Sequence, residues 1–152
     1  MFFLKDLPSQ RMVRGYADRF GNVDPAKVLK ALEHMRAASI LIREIDTYFM
    51  THDLSQLRFL TLILIDREPE RTSLAASEIA DRLDVSRPVV TRTLQSLELA
   101  GLVNVVSSEN DARSKEISLT QLGHGKLNEV LPGYFAILHA SRSERGAWQC
   151  AS

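Results

Sequence analysis

Ser86, Arg87, Thr91, Arg92 and Gln95 lie within ten consecutive positions and carry the donors and acceptors that meet phosphate oxygens and base edges. Ser86 can accept a hydrogen bond from a free N–H in the first turn of a helix. Pro88 has no N–H, so that bond is expected at Val89, and because Pro88 disfavours helical geometry at Arg87 the cap can also lie one residue later. In either case the positive end of the helix dipole faces outward with Arg87 beside it, an arrangement that suits a phosphate or a guanine edge. The plainer alternative is a solvated helix face. A second group, Asp111-Ala112-Arg113-Ser114-Lys115, sets two cations close together. The flat, weakly hydrated guanidinium of Arg113 is the better fit to a narrow minor groove, and Asp111 can hold it by an ion pair. The alternative there is an ordinary charged β-turn.

Both groups must be positioned by the stretch from Ser77 to Thr120, whose hydrophobic period changes partway along. Ile79, Ala80 and Leu83 share one face of a short helix, and Asp84-Val85-Ser86 breaks it. Val90, Leu94 and Leu97 then recur at helical spacing until Gly101. With these three facing inward, Thr91, Arg92 and Gln95 lie on or near the opposite face. After Gly101 the period falls to two: Val103 and Val105, then Ile117 and Leu119, flank the polar tract Ser107 to Asp111. Helix, turn, helix and hairpin make a winged helix, which places one helix in a major groove and the hairpin loop against the flanking backbone.

Elsewhere the chain reads as helix. Asp6-Leu7-Pro8 is expected to start one that carries Met12, Val13, Tyr16 and Phe20 and stops at Gly21-Asn22. Asp24-Pro25 starts a longer one, in which Val28, Ala31, Met35, Ala38, Ile42, Ile45 and Phe49 form a heptad-like seam. That seam suits packing within the domain and a subunit interface equally. Leu54 to Glu68 contains a run, Leu62 to Ile65, that suits a buried strand; Ser55 as a cap and the length of the pattern favour a helix. Pro69 to Ser73 is expected as loop, with Leu74 pairing briefly with the wing. A third long helix follows Thr120, with Leu127, Val130, Leu131, Tyr134, Phe135 and Leu138 on its apolar face, a kink at Pro132 and fraying from about Ser141.

The 152 residues carry 19 Lys+Arg and 19 Asp+Glu, which argues against an indiscriminately cationic coat on nucleic acid. From Arg71 to Thr120 six Lys/Arg face seven Asp/Glu, so DNA contact must come from locally placed cations. The single cysteine, Cys150, excludes an internal disulfide framework and suits a reducing cytosol. Met1 to Leu4 is too short for a signal segment and Leu60 to Ile65 too short to span a bilayer, so a cytoplasmic chain without membrane contact is expected. There is no Gly-rich phosphate loop, nucleophile elbow or carboxylate–histidine constellation, so no enzyme and no cofactor are expected.

SEIADRLDVSRPVVTRTLQSLELAGLV, together with Asp111, Arg113, Ser114, Lys115, Leu119 and Thr120 of the wing, resembles the MarR family of bacterial transcription regulators. A looser likeness reaches back to Leu54-Ser55 and Arg58-Phe59 and forward to Gly123. The resemblance implies a mainly α fold with a small β-hairpin wing (α+β), in which long N- and C-terminal helices dimerise. It divides the chain into N-terminal dimerisation helices (1–53), a winged helix-turn-helix lobe (54–123) and a C-terminal dimerisation helix (124–152). It implies a homodimer on double-stranded DNA at a pseudo-palindromic operator, generally a repressor, with Ser86, Arg87, Pro88, Thr91, Arg92, Gln95, Asp111, Arg113, Ser114 and Lys115 at the DNA. A small aromatic acid is its expected effector, near Tyr48, Phe49, His52 and Arg58, where Arg58 can pair with a carboxylate; the alternative is that the aromatics are core and Arg58 a surface residue. Two departures stand out. Little of the chain remains for the helix that usually completes the dimer, a place the helix from Pro8 to Phe20 can fill. Ala75 stands where the family tends to have a hydroxyl cap, leaving Ser73 or Ser77 to serve. The four histidines show no short-range ligand pair, and no metal is expected; Cys150 lacks nearby cations to activate it as a sensor. The rival function is a winged helix used as a protein-interaction module.

Overall fold

The computed structural model describes residues 7–21, 23–68, 71–107 and 115–146, with side chains as far as residue 140. The elements run α1 (Gln10–Phe20), α2 (Pro25–Met50), α3 (Gln56–Asp66), β1 (Ser73–Ala75), α4 (Ala76–Arg82), α5 (Arg87–Leu99), β2 (Val103–Ser107), β3 (Lys115–Leu119) and α6 (Gln121–Gly146). This is the mainly α winged architecture with a small antiparallel sheet that the spacing predicts.

Local chemistry sets most boundaries. Asp24 accepts the Ala26 N–H at 2.9 Å and Pro25 opens α2 where its missing donor goes unneeded. Ser55 accepts the Arg58 N–H at 3.2 Å, and α3 is a helix, not the strand its apolar run also suited. α1 begins later than Asp6-Leu7-Pro8 suggests, because Ser9 supplies an acceptor for the Met12 N–H at 3.3 Å. Gly21 and Gly101 end α1 and α5 at φ +65° and +69°, where a side chain would be strained.

The sheet order is β1-β3-β2, and one register line, Leu74↔Ile117↔Val105, crosses it. Leu74 and Ile117 are fully buried there against Ile79 of α4 and Leu97 of α5, within a core that also takes Phe49, Phe59, Leu62, Leu127 and Val130. Each such side chain contributes about 1.5–3 kcal/mol by leaving water. The rings of Phe49 and Phe59 lie 4.6 Å apart and those of Phe59 and Tyr134 4.8 Å, joining α2, α3 and α6.

The heptad seam of α2 divides. Ile45 and Phe49 enter this core, whereas Ala31, Met35, Ala38 and Ile42 remain exposed and Ser39 is buried in their stead. Packing within the domain therefore uses the two ends of the seam, Val28 near the start of α2 being half-buried beside Val13 and Ala17 of α1. α6 continues through Pro132 as one helix, and it passes Ser141, where the sequence suggests fraying, to reach Gly146. No described helix is long and apolar enough to cross a membrane.

Candidate nucleic-acid interface

α4 is capped by an unexpected group. Ala75 offers no side-chain acceptor, and the Ser73 hydroxyl donates instead to Glu116 at 2.9 Å. Glu78, three residues on, reaches back to accept the Ala75 N–H at 2.9 Å, half of a capping box. Glu78 also takes Arg71, at 2.9 Å, while Glu68 takes both Arg71 and Arg82. The hydrogen bond from Arg82 holds the Glu68 carboxyl below the ordinary carboxylate range, and the bond from Arg71 does the same for Glu78. These exposed pairs add little stability singly. Their effect is to commit Arg71 and Arg82 to the frame of the lobe.

The turn after α4 delivers Ser86 as the N-cap of α5 with extended backbone, φ −68° and ψ 149°. The expected side-chain bond from Val89 is not made: the Val89 and Val90 N–H groups both donate to the Ser86 carbonyl, at 3.0 and 3.2 Å. Pro88 takes the second helical position and Arg87 the first, so the later cap is not adopted either. The Ser86 hydroxyl has no partner among the described residues.

Val90, Leu94 and Leu97 turn inward as their spacing predicts, joined by Thr93, whose hydroxyl donates to the Val89 carbonyl at 2.9 Å. Arg87, Pro88, Thr91, Arg92 and Gln95 are exposed. Thr91 donates its hydroxyl proton to the Arg87 carbonyl at 3.1 Å. In that rotamer it presents a methyl group and a lone pair, which suit a thymine methyl or a base amino group better than a phosphate. Lys115 is exposed at the start of β3, opposite Ser107. Asp111, Arg113 and Ser114 lie outside the described residues.

Two features here escaped the sequence reading. Val85 and Val89 remain 37% and 38% exposed beside the start of α5, adding apolar surface next to its cations. Asp81 sets a carboxylate oxygen 3.7 Å from the Arg87 guanidinium. A hint lay in the shortness of the turn, which brings the last turn of α4 close to the first of α5.

Tyr48, Phe49, His52 and Arg58 do come together at the α2–α3 junction, but as internal braces. Phe49 has no exposed surface, and the Tyr48 hydroxyl donates to the Val130 carbonyl at 2.9 Å. His52 meets Glu129 of α6 at 2.8 Å, and Arg58 donates to the carbonyl of Asp53, a residue at φ +54°. Lys126 first, and His52 second, hold the Glu129 carboxyl below its usual range. Among the described residues no three His, Cys, Asp or Glu side chains gather as metal ligands.

A model of the MarR family matches residues 52–114, which spans α3 to the wing. The transcriptional regulator MosR of M. tuberculosis, solved in complex with DNA, is 30% identical, with 77% of this chain and 80% of that chain covered at a TM-score of 0.58. The chain belongs to the MarR family. Among its relatives is the HTH-type transcriptional repressor YetL of Bacillus subtilis, 28% identical over 138 residues, or 90% of this chain and 81% of YetL. The fold is matched more closely by Sco3205, a MarR family transcriptional regulator from Streptomyces coelicolor solved with DNA. There the TM-score is 0.74 at 20% identity, with 81% of this chain and 77% of that chain covered. Within this MarR chain, the matched segment ends at Ser114 and so contains every expected DNA contact except Lys115.

Proposed function

We propose that this MarR-family chain is a non-enzymatic transcription regulator, acting as a repressor, that binds a pseudo-palindromic operator as a homodimer in the cytoplasm. The observation that carries the reading is the division of α5. Val90, Leu94 and Leu97 lock one side into the core, while Arg87, Thr91, Arg92 and Gln95 stand on the solvent side behind an outward-facing helix start. The lobe of residues 54–123 enters the major groove by that face, with Lys115 and the wing residues Asp111, Arg113 and Ser114 against the flanking backbone or minor groove. Residues 1–53 and 124–152 pair the subunits. Supporting this, Met12, Tyr16 and Phe20 of α1, Met35 and Ile42 of α2 and Phe135 of α6 are all exposed apolar side chains. Half-site centres then lie about 10 base pairs apart. An aromatic acid acting at the α2–α3 junction has to open the Arg58–Asp53 and His52–Glu129 contacts, which now occupy those groups.

The test is selection of bound fragments from the source genome, followed by titration at stated salt with competitor DNA. Arg92→Ala should weaken the selected site by about 1–3 kcal/mol if the guanidinium reads a base. Failure of the wild-type protein to retain any fragment over competitor would refute the reading. It would favour a winged helix that docks on protein, a role to which the acidic balance of residues 71–120 lends some support.

A further inference from the structure

The cations of the lobe are not equally available. Arg71 and Arg82 are held by Glu68 and Glu78, and Arg92 has no ion-pair partner among the described residues. Arg87 is intermediate. Its Nη2 lies 3.7 Å from Asp81 Oδ1, with the two side chains 77% and 69% exposed. The contact bridges the last turn of α4 and the first turn of α5 across Leu83 to Ser86. A carboxylate oxygen at that distance offers the Arg87 guanidinium what a phosphate oxygen would offer it. Both groups being solvated, the pair is weak and exchangeable.

We propose that Asp81 is an internal competitor for Arg87, pairing with the guanidinium in the free protein and surrendering it to DNA. This rests on the DNA-binding reading and refines it. Asp81 lowers affinity twice over: the ion pair must open before Arg87 reaches a phosphate or a guanine, and the released carboxylate then stays beside the polyanion. It also lowers salt dependence, because a cation drawn to the freed carboxylate offsets part of the counterion release from DNA.

The experiment titrates a fragment retained by the wild-type protein with wild type, Asp81→Asn, Arg87→Ala and the double variant, by fluorescence anisotropy between 50 and 200 mM salt as the usual window. Asp81→Asn should bind about two- to fivefold more tightly, with a salt slope steeper by up to about one counterion. In the Arg87→Ala background that gain should shrink to the part owed to a carboxylate beside the polyanion. Unchanged affinity in Asp81→Asn overturns the proposal, and so does a gain that persists in full without Arg87, which would make Asp81 a general repulsive charge. Melting temperatures of the four proteins separate these outcomes from misfolding. A wild-type protein that retains no fragment brings down the DNA-binding reading itself, and this inference with it.

Discussion

Gly123 and Gly125 stand two residues apart in the first turns of α6, yet the same substitution should move stability in opposite directions. A Cβ on Gly123 would fall inside the van der Waals envelope of the Leu102 carbonyl oxygen and 3.2 Å from its carbon. That carbonyl accepts the Thr120 N–H at 3.1 Å, and the Thr120 hydroxyl accepts the Gly123 N–H at 3.0 Å. The obstacle is backbone at the base of the wing, not the end of a flexible side chain. Relief requires a main-chain shift of about 1 Å, with an overpacking penalty of about 1–3 kcal/mol. Loss of the Thr120 bond adds about 1 kcal/mol. Against this, Ala gains up to about 1 kcal/mol of helix propensity over Gly. Gly123→Ala should therefore destabilise by about 1–3 kcal/mol, lowering the melting temperature by roughly 3–10 °C for a chain of this size. Around Gly125 nothing lies within 4 Å of the added atom, so Gly125→Ala should stabilise by up to about 1 kcal/mol. Urea and thermal unfolding followed by circular dichroism read both. Equal effects of the two substitutions would refute the steric argument, since it predicts opposite signs from one helix.

Acidification supplies a second test. Glu68, Glu78 and Glu129 have carboxyls held below their ordinary range by Arg82, Arg71 and Lys126 respectively. Their stabilisation is fully present above the unfolded carboxylate value of about 4.3 and is lost as pH falls through the lower folded values. Urea midpoints should drop across that window, and the drop should shrink in Glu68→Gln/Glu78→Gln; an identical pH profile would remove these pairs from the account. Deletion of residues 1–22 should convert a dimer to monomer in sedimentation, because it removes the exposed Met12, Tyr16 and Phe20. A truncated protein that still sediments as a dimer would confine the interface to α2 and α6.

What could be read in advance were features set by one element and its neighbours in sequence. The Asp24-Pro25 start of α2, the inward row Val90, Leu94 and Leu97, and the brief pairing of Leu74 with the wing all follow from local rules. What escaped depends on approach between elements. Ser73 was available as a cap until β1 met β3 and Glu116 claimed its hydroxyl. Ser86 was expected to cap with its side chain, but its own carbonyl takes the first-turn donors. The seam of α2 has one period throughout, with nothing to mark that Ile45 and Phe49 would be buried while Ala31, Met35, Ala38 and Ile42 stay exposed. Nothing in the spacing marks Asp81, because its relation to Arg87 is made by the turn between two helices rather than by a periodicity within either.

α6 begins at Gln121, two residues after the last strand of the wing ends, and continues for 26 residues. At 1.5 Å per residue such a rod is about 39 Å long. Its length gives it leverage: tilting it by about 5° about its far end carries its start through roughly 3 Å, close to the axial rise of one base-pair step. In the dimer proposed above, a small rotation where the two subunits meet would thus slide each wing off its register with the duplex while every lobe stays internally rigid.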